Sequence, residues 1–315
     1  MSHDELQPDD FTLAAQAAIT DALTQSTAHA MTAVLANAGL TGIMANEQDG
    51  GLGLDIAFAL PIAHAAGRLR LPLPLVEHIL LAQAFGGTSH AAQLAAGDRI
   101  ASIAWQGSIE TGRARLDNGP ADWVLVRDGD AAALIDIHAG DGITPQSQLD
   151  PDHPQLWLSL EKAKVLARLD ADAWAMLTSR AQLLLAEFAN GAAEGALQAT
   201  ATYLAARVQF GKPLSAKQAV RHHLARMRLL QDVSSAAIRR ALRRDEFGCC
   251  RDARPTLTGT IANAAFVIEK SIHLHGGMGF TWELPLHRAL RVVRKLDAAF
   301  YGQSQHIGHT FIQSA

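Results

Sequence analysis

Apolar residues recur at helical spacing through most of the first hundred residues, where alanine is frequent. Residues 10 to about 95 are therefore predicted to be helical. The stretch 38–55 interrupts this pattern with glycines and acids, and Gly50 and Gly51 would each cost about 1 kcal/mol relative to alanine inside a helix. A second break is expected at residues 71–74 (LPLP), because proline lacks an amide donor and disfavours helix at the preceding residue.

Between about 98 and 168 the pattern changes to short apolar runs bounded by Asp, Gly, Asn and Pro. Residues 123–126 and 132–137 are examples, and runs of this length between turn residues predict β-strands. We therefore expect a small antiparallel β unit in the middle of the chain.

Helical character returns from about 170 to the end. Val220, Leu224, Met227 and Leu230 repeat at spacings of four and three, which places one apolar stripe along a helix. Helices predicted near 174–206, 215–247, 254–275 and 285–313 would form a four-helix bundle.

The element order predicts an α+β fold class that is mostly α. The expected domains are an N-terminal helical domain at 1–96, a shortened middle β domain at 97–169 and a C-terminal four-helix bundle domain at 170–315.

Composition and charge narrow the function classes. The chain has 315 residues, 49% apolar content and a formal net charge of −4. This acidic balance argues against nucleic acid as a partner, since binding phosphates needs a basic surface. Cys249 and Cys250 are adjacent, which excludes a disulfide scaffold and suits a reducing compartment. The acidic N-terminus is unlike a signal peptide, and no apolar run approaches the ~20 residues of a membrane span. We expect a cytoplasmic protein with no membrane partner.

Three glycines stand between two helical stretches in the segment HLHGGMGFTWELPLHR (273–288). The spacing is not that of a dinucleotide fingerprint, the preceding element is a helix, and no Gly-Lys-Ser/Thr follows as in a P-loop. Two interpretations remain: a helix end whose glycines accept positive φ, or bare backbone against which a ligand lies.

A second segment, ARVQFGKPLSAKQAV (206–220), ends one predicted helix and begins the next. Together with the glycines at 276–279 and the loop NEQDGGLGLD (46–55), it resembles the acyl-CoA dehydrogenase family. The order of helices, small sheet and helical bundle is also similar to that family's fold. The resemblance spans most of the chain and implies FAD as the cofactor.

The resemblance implies roles for individual residues. Arg207 would face the FAD pyrophosphate, since a guanidinium binds phosphate oxygens in pairs. Gln209 would donate a hydrogen bond and Phe210 would pack against the cofactor. The other implied cofactor contacts are Leu214 and Gln218 on the next helix, His273 where the family usually has glutamine, the backbone of Gly276 and Gly277, and Gln305 in the final loop. Because a neighbouring subunit supplies the glycine backbone in the family, an oligomer is implied.

The family's catalytic glutamate has no counterpart here. That carboxylate removes the α-proton of an acyl-CoA, and burial raises its pKa toward neutrality. Its usual position holds Phe300 or Tyr301, depending on the alignment. The alternative position, on the helix before the glycines, holds no acid at the required depth, and Glu269 lies about two turns too late. Glu283 is a weak candidate, so no catalytic residue is assigned.

The middle unit also departs from the family. IAWQGSIETGRARL (103–116) stands where the family has its flavin-side signature. Because it lacks both the catalytic glutamate and this signature, the chain resembles the shorter subunit of heteromeric α2β2 members of the family that act on steroid side-chain CoA thioesters. This resemblance implies a longer partner subunit that carries the base and the acyl-CoA substrate, and an electron-transfer flavoprotein or similar acceptor.

Two alternatives stay open. The chain could be a homomeric dehydrogenase with an unorthodox base, Glu283 or Asp297. It could instead be a flavin-free binding or scaffold protein on the same fold. The intact Arg207 segment argues against the second alternative, and the missing carboxylate argues against the first. No metal site is expected, because the histidine pairs at 222–223 and 306–309 lack completing ligands.

Overall fold

The computed structural model describes residues 7–117, 119–137, 143–145, 155–244 and 251–312, with only the backbone for 143–145 and 301–312. The chain forms two compact units. The first holds Met1–Ala66 and Leu71–Leu184, and the second holds Gly67–Arg70 and Leu185–Ala315. The three-domain division expected from the sequence stays a prediction.

In the part of the chain that the structure describes, five α-helices precede the sheets. They are α1 (Phe11–Ala22), α2 (Ala28–Asn37), α3 (Ile56–Leu69), α4 (Leu75–Ala84) and α5 (Ser89–Ala95). Two of them begin at threonines whose hydroxyls accept a backbone amide, Thr27 from Ala30 and Thr88 from Ala91. The predicted break at 71–74 separates α3 from α4 and is confirmed. Because Leu75–Ala82 of α4 is buried on every side, this helix is central to the first unit.

The middle of the chain forms two four-stranded sheets, ordered β1-β4-β5-β8 and β2-β3-β7-β6. The strands are β1 (Ala101–Ala104), β2 (Gln106–Ser108), β3 (Arg113–Leu116), β4 (Trp123–Asp128), β5 (Ala131–Asp136), β6 (Ile143–Pro145), β7 (Leu156–Ser159) and β8 (Lys164–Leu169). Side chains from both sheets, among them Leu116, Val126 and Leu158, form one buried cluster.

The expectation of a wholly antiparallel unit is wrong for one pair. Strands β1 and β4 run parallel, with Ala101 opposite Trp123. The chain leaves β1, forms β2 and β3 in the other sheet, and re-enters the first sheet in the original direction. A parallel pair needs such a crossover, whereas an antiparallel pair can be closed by a tight turn.

Four long helices follow, as predicted. They are α6 (Ala171–Ala206), α7 (Gln218–Leu242), α8 (Arg254–Leu274) and α9 (Leu286–Ile312), and a short hairpin of β9 (Val208–Gln209) and β10 (Lys212–Pro213) joins α6 to α7. On the predicted apolar stripe of α7, Met227 is fully buried, and Val220, Leu224 and Leu230 are half-buried. α7 begins later than expected because Leu214–Ala216 forms a 3-10 turn.

The α+β class, mostly α, is confirmed. Glycine allows close packing of α3 on α6 inside the second unit, where an added Cβ at Gly67 would collide with the carbonyl oxygen of Phe188. Of the helices in the described part of the chain, none combines the length and apolar character needed to cross a membrane.

Candidate functional site

The hairpin after α6 carries an exposed aromatic side chain on a strained turn. Phe210 and Gly211 both have left-handed backbones, with φ of +55° and +73°, as in a type I′ turn. This conformation costs a residue with a Cβ about 1–2 kcal/mol. The Phe210 side chain is nevertheless 90% exposed. Its position is therefore not that of a core residue, and the ring is available to a ligand or a partner.

Arg207 lies at the base of this hairpin. It directly follows α6, its side chain is exposed, and its carbonyl oxygen accepts a hydrogen bond from the Leu214 amide at 2.8 Å. Gln209 is exposed in β9, Leu214 is half-buried, and Gln218 is the exposed first residue of α7. The backbone of the hairpin thus gathers the predicted residues of this segment at one place.

The three glycines after α8 have different structural roles. An added Cβ at Gly279 would collide with the carbonyl oxygen of Ile272, so this glycine is required by the packing of the chain itself. An added Cβ at Gly276 or Gly277 would meet nothing within 4 Å. Gly276 has φ +62°, and this left-handed backbone conformation explains why the position holds a glycine. The exposed backbone at 276–277 leaves room for a group from outside.

A ring stack joins the two segments. The rings of Tyr203 and His275 are 4.4 Å apart between centroids, with an interplanar angle of 24°. His275 is buried, and its Nδ1 lies 2.8 Å from the Ser271 carbonyl oxygen. Since Tyr203 lies one turn before Arg207, and His275 directly precedes Gly276, the stack brings both segments to the same end of the second unit.

Sequence reasoning missed both stacked residues. The signal available was weak: Tyr203 is one of two tyrosines in the chain, and His275 belongs to the His-Leu-His sequence before the glycines. The exposed histidine of that sequence is His273, which lies in the last turn of α8 beside the open backbone. Its ring can donate a hydrogen bond, as the family's glutamine does.

The expected final loop around Gln305 is corrected by the structure. α9 continues without a break from Leu286 to Ile312 and includes this position. The segment holds no proline after Pro285, and its apolar residues Leu286, Val293 and Phe300 repeat at a spacing of seven, which favours a continuous helix. The side chain of Gln305 lies outside the described part of the chain.

The usual position of the catalytic glutamate is aromatic. Phe300 is buried in α9, and its ring cannot accept a proton. Tyr301 lies among the residues whose side chains are not described. Glu269, the nearest acid on α8, pairs with Arg294 at 2.6 Å and is half-exposed.

Two acids, Glu283 and Asp297, remain as unorthodox candidates for the base. Glu283 is fully exposed, and hydrogen bonds from its own backbone amide and from the Thr281 hydroxyl lower its pKa. Asp297 is half-buried, and its carboxylate lies 3.4 Å from the Arg294 guanidinium. A general base of this reaction needs a raised pKa in an apolar cleft, and neither residue has that environment.

In the first unit, one ring of an aromatic pair lies in the segment 103–116, which is expected to replace the family's flavin-side signature. Trp105 directly follows β1 and stacks on Trp174 of α6, with centroids 6.1 Å apart and an interplanar angle of 27°. Among the described residues, no group of three or more His, Cys, Asp or Glu side chains could hold a metal ion.

Comparisons with known proteins show what the chain is similar to in sequence and fold. A family model for the C-terminal domain of acyl-CoA dehydrogenases matches residues 173–305. The acyl-CoA dehydrogenase IpdE2 of Mycobacterium tuberculosis is 28% identical over 260 residues, covering 79% of this chain and 75% of that protein.

Two solved structures share the fold. The Tcur3481-Tcur3483 steroid ACAD has a TM-score of 0.79 at 22% identity, covering 98% of both chains. The ChsE4-ChsE5 complex from Mycobacterium tuberculosis also has a TM-score of 0.79, at 24% identity, covering 97% of both chains. Residues 173–305 thus match the C-terminal domain of acyl-CoA dehydrogenases, and the chain is similar in sequence to IpdE2 and shares its fold with these two solved structures.

Proposed function

We propose that this chain is the shorter subunit of a heteromeric, FAD-dependent acyl-CoA dehydrogenase. It contributes residues to the adenine and pyrophosphate half of an FAD site, and a longer partner subunit supplies the catalytic glutamate. The observation that carries the proposal is the exposed set of Arg207, Phe210 and the open backbone of Gly276 and Gly277 at one end of the second unit. Among the residues of this unit that the structure describes, no aspartate or glutamate is fully buried.

The residues at this end fit the nucleotide half of FAD. The exposed guanidinium of Arg207 can bind two phosphate oxygens at once. The open backbone at 276–277 allows a close approach, and the exposed ring of Phe210 offers an apolar surface. Gln209, Gln218 and His273 are exposed and can donate hydrogen bonds. Bound FAD would supply the acceptor for the hydride that leaves the substrate β-carbon.

The reactive half of the site is proposed to come from the partner. Abstraction of the α-proton needs a carboxylate, and the usual position holds the buried Phe300. The flavin-side signature is replaced by a segment in which Trp105 stacks on Trp174. An aromatic pair cannot accept a proton from the substrate. Both features support a division of labour between two unlike subunits.

The proposed substrate is a bulky steroid side-chain CoA thioester. The support is that one structural relative is a steroid ACAD and another is the complex of ChsE4 with ChsE5. We further propose that electrons pass to an electron-transfer flavoprotein or a similar acceptor, and that the complex is cytoplasmic.

Flavin content and native mass test the proposal. The chain is purified alone and co-expressed with longer acyl-CoA dehydrogenase subunits. We expect no flavin alone and a yellow tetramer with one FAD per pair of unlike chains. A yellow homo-oligomer with one FAD per chain that oxidises an acyl-CoA unaided would instead support the homomeric alternative. A chain that never carries flavin in any complex would support a binding or scaffold protein.

A further inference from the structure

Lys217 is held at the hairpin by contacts that its sequence position alone does not predict. Its ammonium nitrogen lies 5.0 Å from the centroid of the Phe210 ring. The residue is half-buried and precedes α7 as its N-cap, with an extended backbone. The ammonium group therefore stays beside the tip of the hairpin.

The backbones of Lys217 and Arg207 are linked through one residue. The Lys217 amide donates to the carbonyl oxygen of Leu214 at 3.1 Å, and the Leu214 amide donates to the carbonyl oxygen of Arg207 at 2.8 Å. These two hydrogen bonds anchor both cationic residues to the same hairpin. The pair can thus approach one ligand from a common backbone frame.

The surrounding sequence supplies positive charge without acids. Residues 195–231 contain no aspartate or glutamate, while Arg207, Lys212, Lys217 and Arg221 fall within the hairpin and the start of α7. The next acid along the chain, Asp232, pairs with Arg228 at 3.0 Å. A concentration of cations without acids from the same segment favours an anionic ligand.

We propose that Lys217 binds the diphosphate of FAD together with Arg207. The inference rests on the proposed function, since it assigns a further residue to that site. The two side chains have complementary roles: the planar guanidinium binds a pair of oxygens, and the ammonium group acts as a compact point charge with three donors. The ring of Phe210 orients the lysine stem before the cofactor arrives.

A purely structural role for Lys217 makes different predictions. A cation–π contact at an exposed site stabilises the hairpin locally and needs no ligand. In that case the charge would matter for the hairpin and not for FAD. Substitutions that separate the charge from the apolar stem distinguish the two roles.

The test measures FAD affinity of the complex with the longer subunit, by flavin fluorescence titration at low and high NaCl. Lys217→Met keeps an unbranched apolar stem and removes the charge, whereas Lys217→Arg keeps the charge. Lys162→Gln is the matched control, because this exposed lysine lies between β7 and β8 in the first unit. Circular dichroism and native mass check that each variant folds and assembles.

We expect Lys217→Met to weaken FAD binding about tenfold at low salt, since charge-assisted hydrogen bonds to phosphate are among the strong ones. The difference from wild type should shrink at high salt, and Lys217→Arg and Lys162→Gln should bind within about threefold of wild type. Equal affinities of Lys217→Met and Lys162→Gln would overturn the inference. The inference would also be overturned if Lys217→Arg lost as much FAD affinity as Lys217→Met. It would likewise be overturned if the loss of FAD affinity in Lys217→Met were the same at low and high salt. A flavin-free wild-type complex would overturn the proposed function itself.

Discussion

The ring of Tyr203 stacks on the ring of His275 at 4.4 Å between centroids, and this contact joins the end of α6 to the end of α8. Each residue lies next to a segment proposed to bind FAD, with Arg207 one turn after Tyr203 and Gly276 directly after His275. Tyr203 and His275 are both less exposed than Arg207 and Gly276. The stack therefore positions two distant stretches of the chain for one ligand.

Tyr203→Ala should loosen that end of the second unit. An aromatic stack contributes about 0.5–1.5 kcal/mol beyond the burial of its area, so we expect a loss of roughly 1–2 kcal/mol in the free energy of unfolding. FAD binding by the complex should weaken as well, because the two segments lose their common anchor. Tyr203→Phe keeps the stacked ring and serves as the control. Urea unfolding and flavin titration check both effects, and equal behaviour of the two variants would contradict the positioning role.

Glycines two positions apart should respond to alanine in opposite ways. At Gly277 an added Cβ meets nothing within 4 Å, so Gly277→Ala should change the free energy of unfolding by less than about 0.5 kcal/mol while weakening FAD binding. At Gly279 the added Cβ collides with the Ile272 carbonyl oxygen, and Gly279→Ala should destabilise the chain by about 1–3 kcal/mol.

Thermal unfolding of the chain and flavin titration of the complex separate these effects. If Gly277→Ala unfolds the chain as Gly279→Ala does, the open backbone at 276–277 has a structural role and not a ligand-binding one. If Gly277→Ala keeps both stability and FAD affinity, no ligand approaches the backbone there.

Local sequence patterns predict the elements of this fold but not all of their partners. The spacing of Val220 and Met227 predicts the buried face of α7, because a helix repeats its faces every 3.6 residues whatever it packs against. The parallel pairing of β1 with β4 depends on the path of the chain through the second sheet, which no run of four residues encodes. The stack of Tyr203 on His275 could not be predicted for a similar reason, because the two residues are far apart in sequence.

The helical course of α9 through Gln305 has a different explanation. The resemblance to the family predicts a loop there, whereas the local sequence lacks the proline that would end a helix. The helix preference of the local sequence therefore decides the structure at Gln305, and the loop expected from the family is not formed. The proposed cofactor residues on the hairpin, by contrast, can be predicted from a motif, because they are close together both in sequence and in space.

Acid should destabilise the first unit through His78. Burial lowers the pKa of this histidine from 6.5 to about 4, against smaller opposing effects of its hydrogen bond to the Leu94 carbonyl oxygen and of the Asp122 charge. The neutral ring joins two elements, with Nε2 at 2.8 Å from the Leu94 oxygen and Nδ1 accepting from the Ala101 amide at 3.4 Å. Protonation would remove that acceptor.

The sign of the pH dependence follows from the lowered pKa. Between pH 6.5 and about 4 the unfolded chain binds a proton that the folded chain does not, so stability falls as the pH is lowered through this window. We expect His78 to account for a loss of about 2 kcal/mol between pH 7.5 and pH 5. Urea unfolding at both pH values tests this, with His78→Gln expected to be less stable at pH 7.5 and to lose less on acidification. His29→Gln is the exposed control, and an unchanged pH slope in His78→Gln would refute the assignment.

Glu283 and Asp297, the two alternative candidates for the base, should be dispensable for turnover. Glu283 has a lowered pKa and is fully exposed, and the Asp297 carboxylate is paired with Arg294 at 3.4 Å, so neither side chain has the setting of a general base in an apolar cleft. Removing a true general base costs about 10²–10⁴-fold in rate. We therefore expect Glu283→Gln and Asp297→Asn, each assembled with the longer subunit, to keep kcat within about twofold of wild type. Replacing the partner's catalytic glutamate should abolish turnover while FAD stays bound. A hundredfold loss in either variant of this chain, with flavin content and native mass unchanged, would place the base here and make the enzyme's two subunits more alike than we propose.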